Sequence, residues 1–378
     1  MQNTPVTFPF LATAAFGLEG IAANELKRMG IAAKAEQGGA RFTATPAQAF
    51  QASLWLRTAD RVLLVLAEGE VHSFEDLYQL VYGIAWEKWL PRDAAFPVSG
   101  KCVRSQLMSV RDCQAISKKA ICKHLGARYK VDRLPETGAT YPIDTSIHKD
   151  IARITLDMSG TALNRRGYRT WNGEAPLRET LAAALLDISP WRVGMPLYDP
   201  CCGTGTLLIE AAMKATRRAS GLTRDFACEN FIFMPQSEMR ALRADAQALY
   251  DAEMAAQTPP FDIAGSDIDP EALTLCRKHA AQAGFDGLIP VETLDLRHVQ
   301  RPQECGMFIV NPPYGERLST REESRALYRE LGLLLRRHPG WRMGVITADP
   351  GFERAFGKRA EKKRRLYNGR LECEFYVF

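Results

Sequence analysis

No apolar run in the 378 residues reaches the ~20 needed to cross a bilayer as a helix, so no membrane partner is expected. The six histidines are scattered, with no ligand pair at a recognised spacing, which argues against a zinc site or any other metal. Nine cysteines form no CxxC pair, and no Lys or Arg precedes the short apolar start as a secretory leader requires. The pattern is that of reduced, cytoplasmic thiols. Internal repeats and low-complexity tracts are absent. An excess of either charge is scarce too: 49 Lys and Arg against 44 Asp and Glu leave +5, so a polyanion partner must be sought in where the charges sit. Two phosphate-binding fingerprints are also missing. The glycine-containing stretch "DPCCGTGTLL" has Leu208 where G-x-G-x-x-G needs glycine, and it lacks the GK[ST] of a P-loop.

What is present is enough apolar sequence, 46%, for more than one core. "FPFLATAAF" (8–16) reads as a strand. The helix after it places Leu18, Ile21, Ala22 and Leu26 on one face and ends at Gly30. "ARFTAT" and "RVLLVLAEGEV" read as strands flanking a helix over "PAQAFQASLWL", giving a small α/β module over 1–70. A helical stretch over 72–92 opens with Ser73 as N-cap and Asp76 three residues on. Between 101 and 133 basic residues face only Asp112 and Asp132, and "DIARITLDMSGTALNRRGYR" predicts two short strands joined at Ser159-Gly160.

From about 173 the texture changes to longer helices separated by short apolar runs: "MPLYDP", "DIAGSDID", "IPVETLDL", "GMFIVNPP" and "WRMGVITAD". Such runs suit parallel strands buried on both faces. Asn368-Gly369 in the tail is a strong hairpin signal. The pattern predicts an open, doubly wound α/β domain ending in a hairpin.

The chemistry sits at the predicted strand ends. D-x-x-x-G-x-G, from Asp199 through Gly203 and Gly205, suits S-adenosylmethionine: the carboxylate can pair with its ammonium, and its own carboxylate can approach backbone N–H groups at a helix start. Asp267, ending the next strand, can accept from ribose hydroxyls, with Ile268 against the adenine; alternatively Asp267 or Asp269 caps the helix at Pro270. Asp295 ends a third strand, where it can accept from the adenine amino group. In "NPPY" (311–314) the Asn311 side-chain oxygen and the Pro312 carbonyl can both accept from one exocyclic NH₂, freeing the amine lone pair to attack a methyl sulfonium without a titrating base. Pro313 stiffens the turn and Tyr314 offers a stacking face. Cys201 and Cys202 lie in the cofactor loop as small polarizable fillers, with no redox role assigned.

"DPCCGTGTLLIEAA", "GSDID", "VNPPYGERL" and "GEAPLRETLAAALL" together resemble the class I S-adenosylmethionine-dependent methyltransferases that modify exocyclic amines. "TAAFGLEGIAANELKRMG" and "LNRRGYR" resemble the THUMP-containing branch, stand-alone relatives of the 23S ribosomal RNA guanine-N2 methyltransferases. The resemblance implies a Rossmann-like class I methyltransferase domain over 166–378, preceded by a ferredoxin-like module over 1–70 and a THUMP RNA-binding domain over 71–165. It implies that Ala175, Pro176, Asp199, Cys201, Gly203, Thr204, Gly205, Asp267, Ile268, Asp295 and Leu296 surround the cofactor and that Asn311, Pro312, Pro313 and Tyr314 are catalytic. One departure from the fused members is that the chain ends after the terminal hairpin, without their second methyltransferase domain, so a second reaction is not expected.

An RNA partner, large-subunit ribosomal RNA or its precursor particle, is implied by the same resemblance. On the helix "CQAISKKAICKHLGARYK", Ile116, Ala120, Ile121 and Leu125 would face inward and Lys118, Lys119 and Lys123 outward, with Arg128 and Lys130 near its end. Such a face can also be merely solvated. Arg165 and Arg166 can contact phosphates, or only hold the linker by hydrogen bonds. Adenine in DNA presents the same kind of amine as guanine in RNA, and a non-catalytic RNA-binding assembly factor could keep the fold, so both remain rival readings.

Overall fold

The structure, a computed structural model, describes residues 5–169, 177–256, 261–313 and 321–378, with only the backbone of Arg321. The N-terminal part runs β1 (Phe8–Thr13), α1 (Glu19–Arg28), β2 (Ala33–Glu36), β3 (Gly39–Ala44), α2 (Pro46–Trp55), β4 (Arg61–Glu70), α3 (Phe74–Tyr82), β5 (Val98–Val103), α4 (Val110–Tyr129), β6 (Ile143–His148) and β7 (Ile151–Asp157). Helix starts follow local chemistry. Thr45 and Gln48 close a capping box ahead of Pro46, and Ser73 and Asp76 do the same for α3. The predicted helix over 72–92 breaks after Tyr82 and resumes only as a 3₁₀ turn at Trp86–Lys88.

These strands form one seven-stranded sheet in the order β2-β3-β1-β4-β7-β6-β5. The long strand β4 is the shared member: its first half pairs with β1 and its second half with β7, from Leu63 opposite Asp157 to Glu70 opposite Ile151. A bulge between Val65 and Ala67 shifts the register of the β4–β7 pairing. The boundary expected at residue 70 therefore falls at the end of a strand that belongs to both halves of a continuous sheet. The second strand expected after Ser159-Gly160 does not form. Residues 161–169 are irregular: the Arg166 and Arg169 side chains are drawn to partners outside any ladder, and the Arg165 carbonyl accepts from Arg224. Strands β2, β5 and β6 had no expectation from the sequence.

The C-terminal part runs α5 (Glu179–Ile188), β8 (Leu197–Asp199), α6 (Thr206–Ala215), α7 (Gln236–Ala256), β9 (Ile263–Asp267), α8 (Pro270–Gln282), β10 (Val291–Thr293), β11 (Gly306–Val310), α9 (Arg321–Arg337), β12 (Trp341–Thr347), α10 (Phe352–Phe356), β13 (Lys362–Asn368) and β14 (Leu371–Val377). Its sheet order is β10-β9-β8-β11-β12-β14-β13, parallel through β12, with β14 and β13 antiparallel at one edge. All five apolar runs of the second half are strands of this sheet. Strand order reverses beside β8, so the loops after β8, β9, β10 and β11 converge at one end, where open α/β sheets bind ligands.

One apolar cluster under α5, α6 and α8 is continuous with the core of the N-terminal part. A second, built on Phe308, Tyr328, Met343 and Phe352, lies under α9 and α10 on the other face. The segment between α6 and α7 packs on the N-terminal sheet: the Ser220 hydroxyl donates to the Leu56 carbonyl, and Tyr141 stacks on Phe231 with ring centroids 4.5 Å apart. Among the described residues no helix is long and apolar enough to cross a membrane.

Candidate active site

β8 is buried at all three positions, and Asp199 at its end is 2% exposed. The chain then turns through Pro200–Gly205 and is pinned from three sides. The Asp199 carboxylate accepts from the Cys201 N–H at 3.0 Å, the Ser266 carbonyl accepts from the Cys202 N–H at 2.9 Å, and the Asp267 carboxylate accepts from the Gly203 N–H at 2.8 Å. Gly203 has φ +51° and open space where a Cβ would project. Gly205, at φ +83°, could not carry a Cβ, which would lie 2.4 Å from the Cys276 sulfur. From behind, His279 Nδ1 meets the Thr204 carbonyl at 3.2 Å, and an Arg169 Nη donates to the Thr206 hydroxyl at 2.5 Å.

A cavity of about 910 Å³ opens across the strand ends. Asp199, Cys201, Gly203, Thr204, Asp267, Ile268, Asp295, Leu296, Asn311 and Pro313 line it, so four separate sequence segments meet at one site. Two expected residues stand behind the wall. Gly205 packs its backbone against Cys276, and the buried Pro312 is not among the residues that line the cavity. Ala175, Pro176 and Tyr314 lie outside the described residues. Sequence reasoning missed Leu177 and the face of α9 carrying Glu323, Leu327 and Glu330. Their spacing of four and three residues is the one signal that could have exposed that face.

Burial, reinforced by the neighbouring Asp267 charge, pushes the Asp199 carboxyl well above the ordinary carboxylate range, and no described cation pairs with it. Asp295 is opposite in character. The Arg297 guanidinium and backbone N–H hold it at about 2, so it stays an acceptor at any physiological pH. Asp269 caps α8 by accepting from the Glu271 N–H, while Asp267 is left for the loop and the cavity. Burial also pushes the Cys201 thiol well up, and Cys202 is raised by its contact with Cys276 and by burial, so neither offers a thiolate.

β11 is buried along its whole length in the middle of the sheet, and Asn311 follows directly at its tip. The Asn311 side-chain oxygen is buried and accepts no hydrogen bond from any described residue. An unsatisfied buried acceptor is costly, so a donor is expected to complete it. These features fit S-adenosylmethionine and an amine: a buried carboxylate lacking a cation, an open glycine face before a helix start, an apolar Ile268 that is 71% exposed, and an acceptor awaiting an N–H. Among the described residues no group of His, Cys, Asp and Glu could hold a metal ion.

The basic positions divide. Lys119, Lys123, Lys130 and Arg165 are exposed, and Arg128 is exposed but pairs with Glu87 at 3.5 Å. Lys118 does not face outward as expected. It is half-buried over the Phe96 ring, 3.5 Å from its centroid, and pairs with Glu136 at 2.6 Å. Arg166 is not available to phosphate either. It is buried, bonds Glu210 at 3.2 Å and the Leu163 carbonyl at 2.7 Å, and so holds the linker.

Residues 166–376 match the family of the RMKL-like methyltransferase domain, 9–63 the RlmL ferredoxin-like domain and 71–157 the THUMP domain. The chain is 36% identical over 373 residues to a protein of Bacillus subtilis (strain 168) named "Putative RNA methyltransferase YpsC", covering 98% of this chain and 96% of that one. It is 36% identical over 381 residues to the ribosomal RNA large subunit methyltransferase K/L of Desulfotalea psychrophila, covering 97% of this chain but only 52%, about half, of that protein. Among solved structures, SMU.472 complexed with SAH superposes with TM-score 0.93 at 37% identity, over 99% of this chain and 98% of that one. A Listeria monocytogenes protein described as a "predicted N6-adenine-specific DNA methylase" superposes with TM-score 0.92 at 40% identity, over 99% and 96%.

Proposed function

This chain belongs to the RMKL-like methyltransferase family, and from that premise we propose that it methylates an exocyclic base amine of RNA, guanine N2 in large-subunit ribosomal RNA, from S-adenosylmethionine. The methyl donor supplies a sulfonium methyl, an electrophile that needs no metal. Asp199, as carboxylate, would hold its ammonium, and the glycine loop and the start of α6 would present N–H groups to its carboxylate. Asp267 keeps lone pairs beyond those used by Gly203 and Asp269 and would accept from the ribose, while Asp295 would accept from the adenine edge and Ile268 would lie against the ring.

The observation that carries the reading is Asn311 at the tip of β11: it lines the same cavity as those three acids, and its buried side-chain oxygen has no partner among the described residues. With the Pro312 carbonyl, it would accept both N–H groups of the target amine and turn the nitrogen lone pair toward the methyl group. As the N–C bond forms, the C–S bond breaks, and the extra amine proton leaves afterwards to water. The exposed Lys119, Lys123 and Lys130 on the THUMP part support an RNA partner through phosphate contacts.

The test is incubation of the protein with labelled S-adenosylmethionine and either unmodified ribosomal RNA or genomic DNA, followed by nucleoside analysis. N2-methylguanosine in RNA is expected. Label confined to N6-methyladenine in DNA would replace this reading with the rival suggested by the description of the Listeria neighbour.

A further inference from the structure

The β13–β14 hairpin has no role in the chemistry above, yet residues 358–374 hold seven Lys and Arg against three Glu. β13 is the outer edge of its sheet, where charges commonly serve only to block edge-to-edge pairing. Two further observations go beyond that explanation. First, Phe16, in the turn after β1 of the N-terminal part, is 58% exposed and stands edge-on to Tyr367 with ring centroids 5.6 Å apart. The turn is docked there closely: the Gly17 carbonyl accepts from Arg364 at 2.5 Å, and a Cβ on Gly17 would lie 2.9 Å from the Arg365 carbonyl. An edge protected by charge alone needs no exposed aromatic brought from another part of the chain.

Second, strand register fixes where this surface lies. Val310 is level with Val345, so Asn311 is level with Ile346; Ile346 pairs with Phe375, and Phe375 with Arg364. Tyr367 and Arg370 are therefore further out on the catalytic side, about 10 Å or more above the level of Asn311 and three strand spacings, about 14 Å, to its side. Arg370 is exposed and makes no ion pair with a described residue, and Arg365 has only a 3.8 Å exposed pair with Glu372.

We propose that Phe16, Tyr367, Arg365 and Arg370 form a second RNA contact, a charged and aromatic wall that holds the unpaired nucleotides beside the base being methylated. The inference rests on the RNA reading above. Cationic side chains beside an aromatic face are the elements by which single strands are gripped without sequence preference, and a base turned out of its stack leaves such unpaired neighbours. The THUMP part would hold the body of the RNA, and this wall its strand at the point of reaction.

The test measures binding of a fluorescent single-stranded oligoribonucleotide to the full chain across a salt series, for the parent, Arg370→Glu, Phe16→Ala and the THUMP-face variant Lys119→Glu/Lys123→Glu. SAH affinity and Tm serve as controls. Arg370→Glu is expected to weaken RNA binding about tenfold and to lower the salt slope by one to two contacts. Phe16→Ala should cost about tenfold with the slope unchanged, as for one lost stack. Arg370→Glu binding within twofold of the parent, while the THUMP-face variant loses affinity, overturns this wall and leaves the RNA reading intact. No RNA binding by the parent overturns both.

Discussion

Asn311 and Asp199 are each incomplete until something binds, in opposite senses: one is an acceptor without a donor, the other an acid without a cation. Asn311→Ala is expected to lower kcat about 100- to 1000-fold, the scale for loss of one preorganised transition-state contact, with SAH affinity within twofold of the parent. Single-turnover transfer and calorimetry would check both halves. For Asp199 the sign follows from burial. Its carboxyl is raised in the free protein, so its contribution to folding is fully present below the unfolded value and is lost as pH rises through the folded one. Cofactor binding runs the other way. An ammonium needs the carboxylate, so binding expels a proton and SAH affinity should fall as pH is lowered through the raised value. Asp199→Asn should weaken binding about 10- to 100-fold, as when a charged hydrogen bond is lost, and flatten that pH dependence in a titration series.

At the scale of elements, α6 connects two roles. Its first turn begins at the cofactor loop, and one turn on, Glu210 is completely buried between Arg166 at 3.2 Å and Arg57 at 2.8 Å. Burial favours the neutral acid, but the two guanidinium groups outweigh it and hold Glu210 below its ordinary value. Its contribution is therefore present above the unfolded carboxylate value and lost as pH falls through the folded one. Glu210→Ala would strand the buried Arg166 and the half-buried Arg57, and about 3–5 kcal/mol of destabilisation is expected in urea unfolding. This element also shows what local pattern cannot convey. Asp199, Asp267 and Asn311 were readable because each closes a short, mainly apolar run, so its place at a strand tip is set within a few residues, whereas Asp295, expected to end its strand, lies two residues beyond β10 and caps a 3₁₀ turn. Lys118 read as a surface cation and Arg166 stayed open between phosphate and linker because the partners that fix them, Glu136 and Glu210, are distant in sequence. The cavity face of α9 was hidden for the same reason: spacing shows that Glu323, Leu327 and Glu330 share a side, not what that side meets.

Over the whole molecule, the continuous N-terminal sheet and the shared apolar cluster leave little room for independent halves. Calorimetry of the parent is expected to show one cooperative transition, and Glu210→Ala to broaden or split it, since that variant removes the ion bridge between them. The expected order of strands and helices in the second half held because buried parallel strands carry their signature locally. The joining of ferredoxin-like and THUMP parts through β4 had no such signature, because it depends on pairing between Leu63–Glu70 and Ile151–Asp157, some eighty residues apart.

That shared strand has a consequence for target choice. A hinge between the two N-terminal parts would let the THUMP part swing relative to the module beside the catalytic part, whereas a ladder running across their border denies it that freedom. Which nucleotide is modified would then follow from how far it stands, in the folded RNA, from the place the THUMP part grips. Lengthening or shortening the intervening RNA stem by a few base pairs should abolish turnover more effectively than changing the bases around the target.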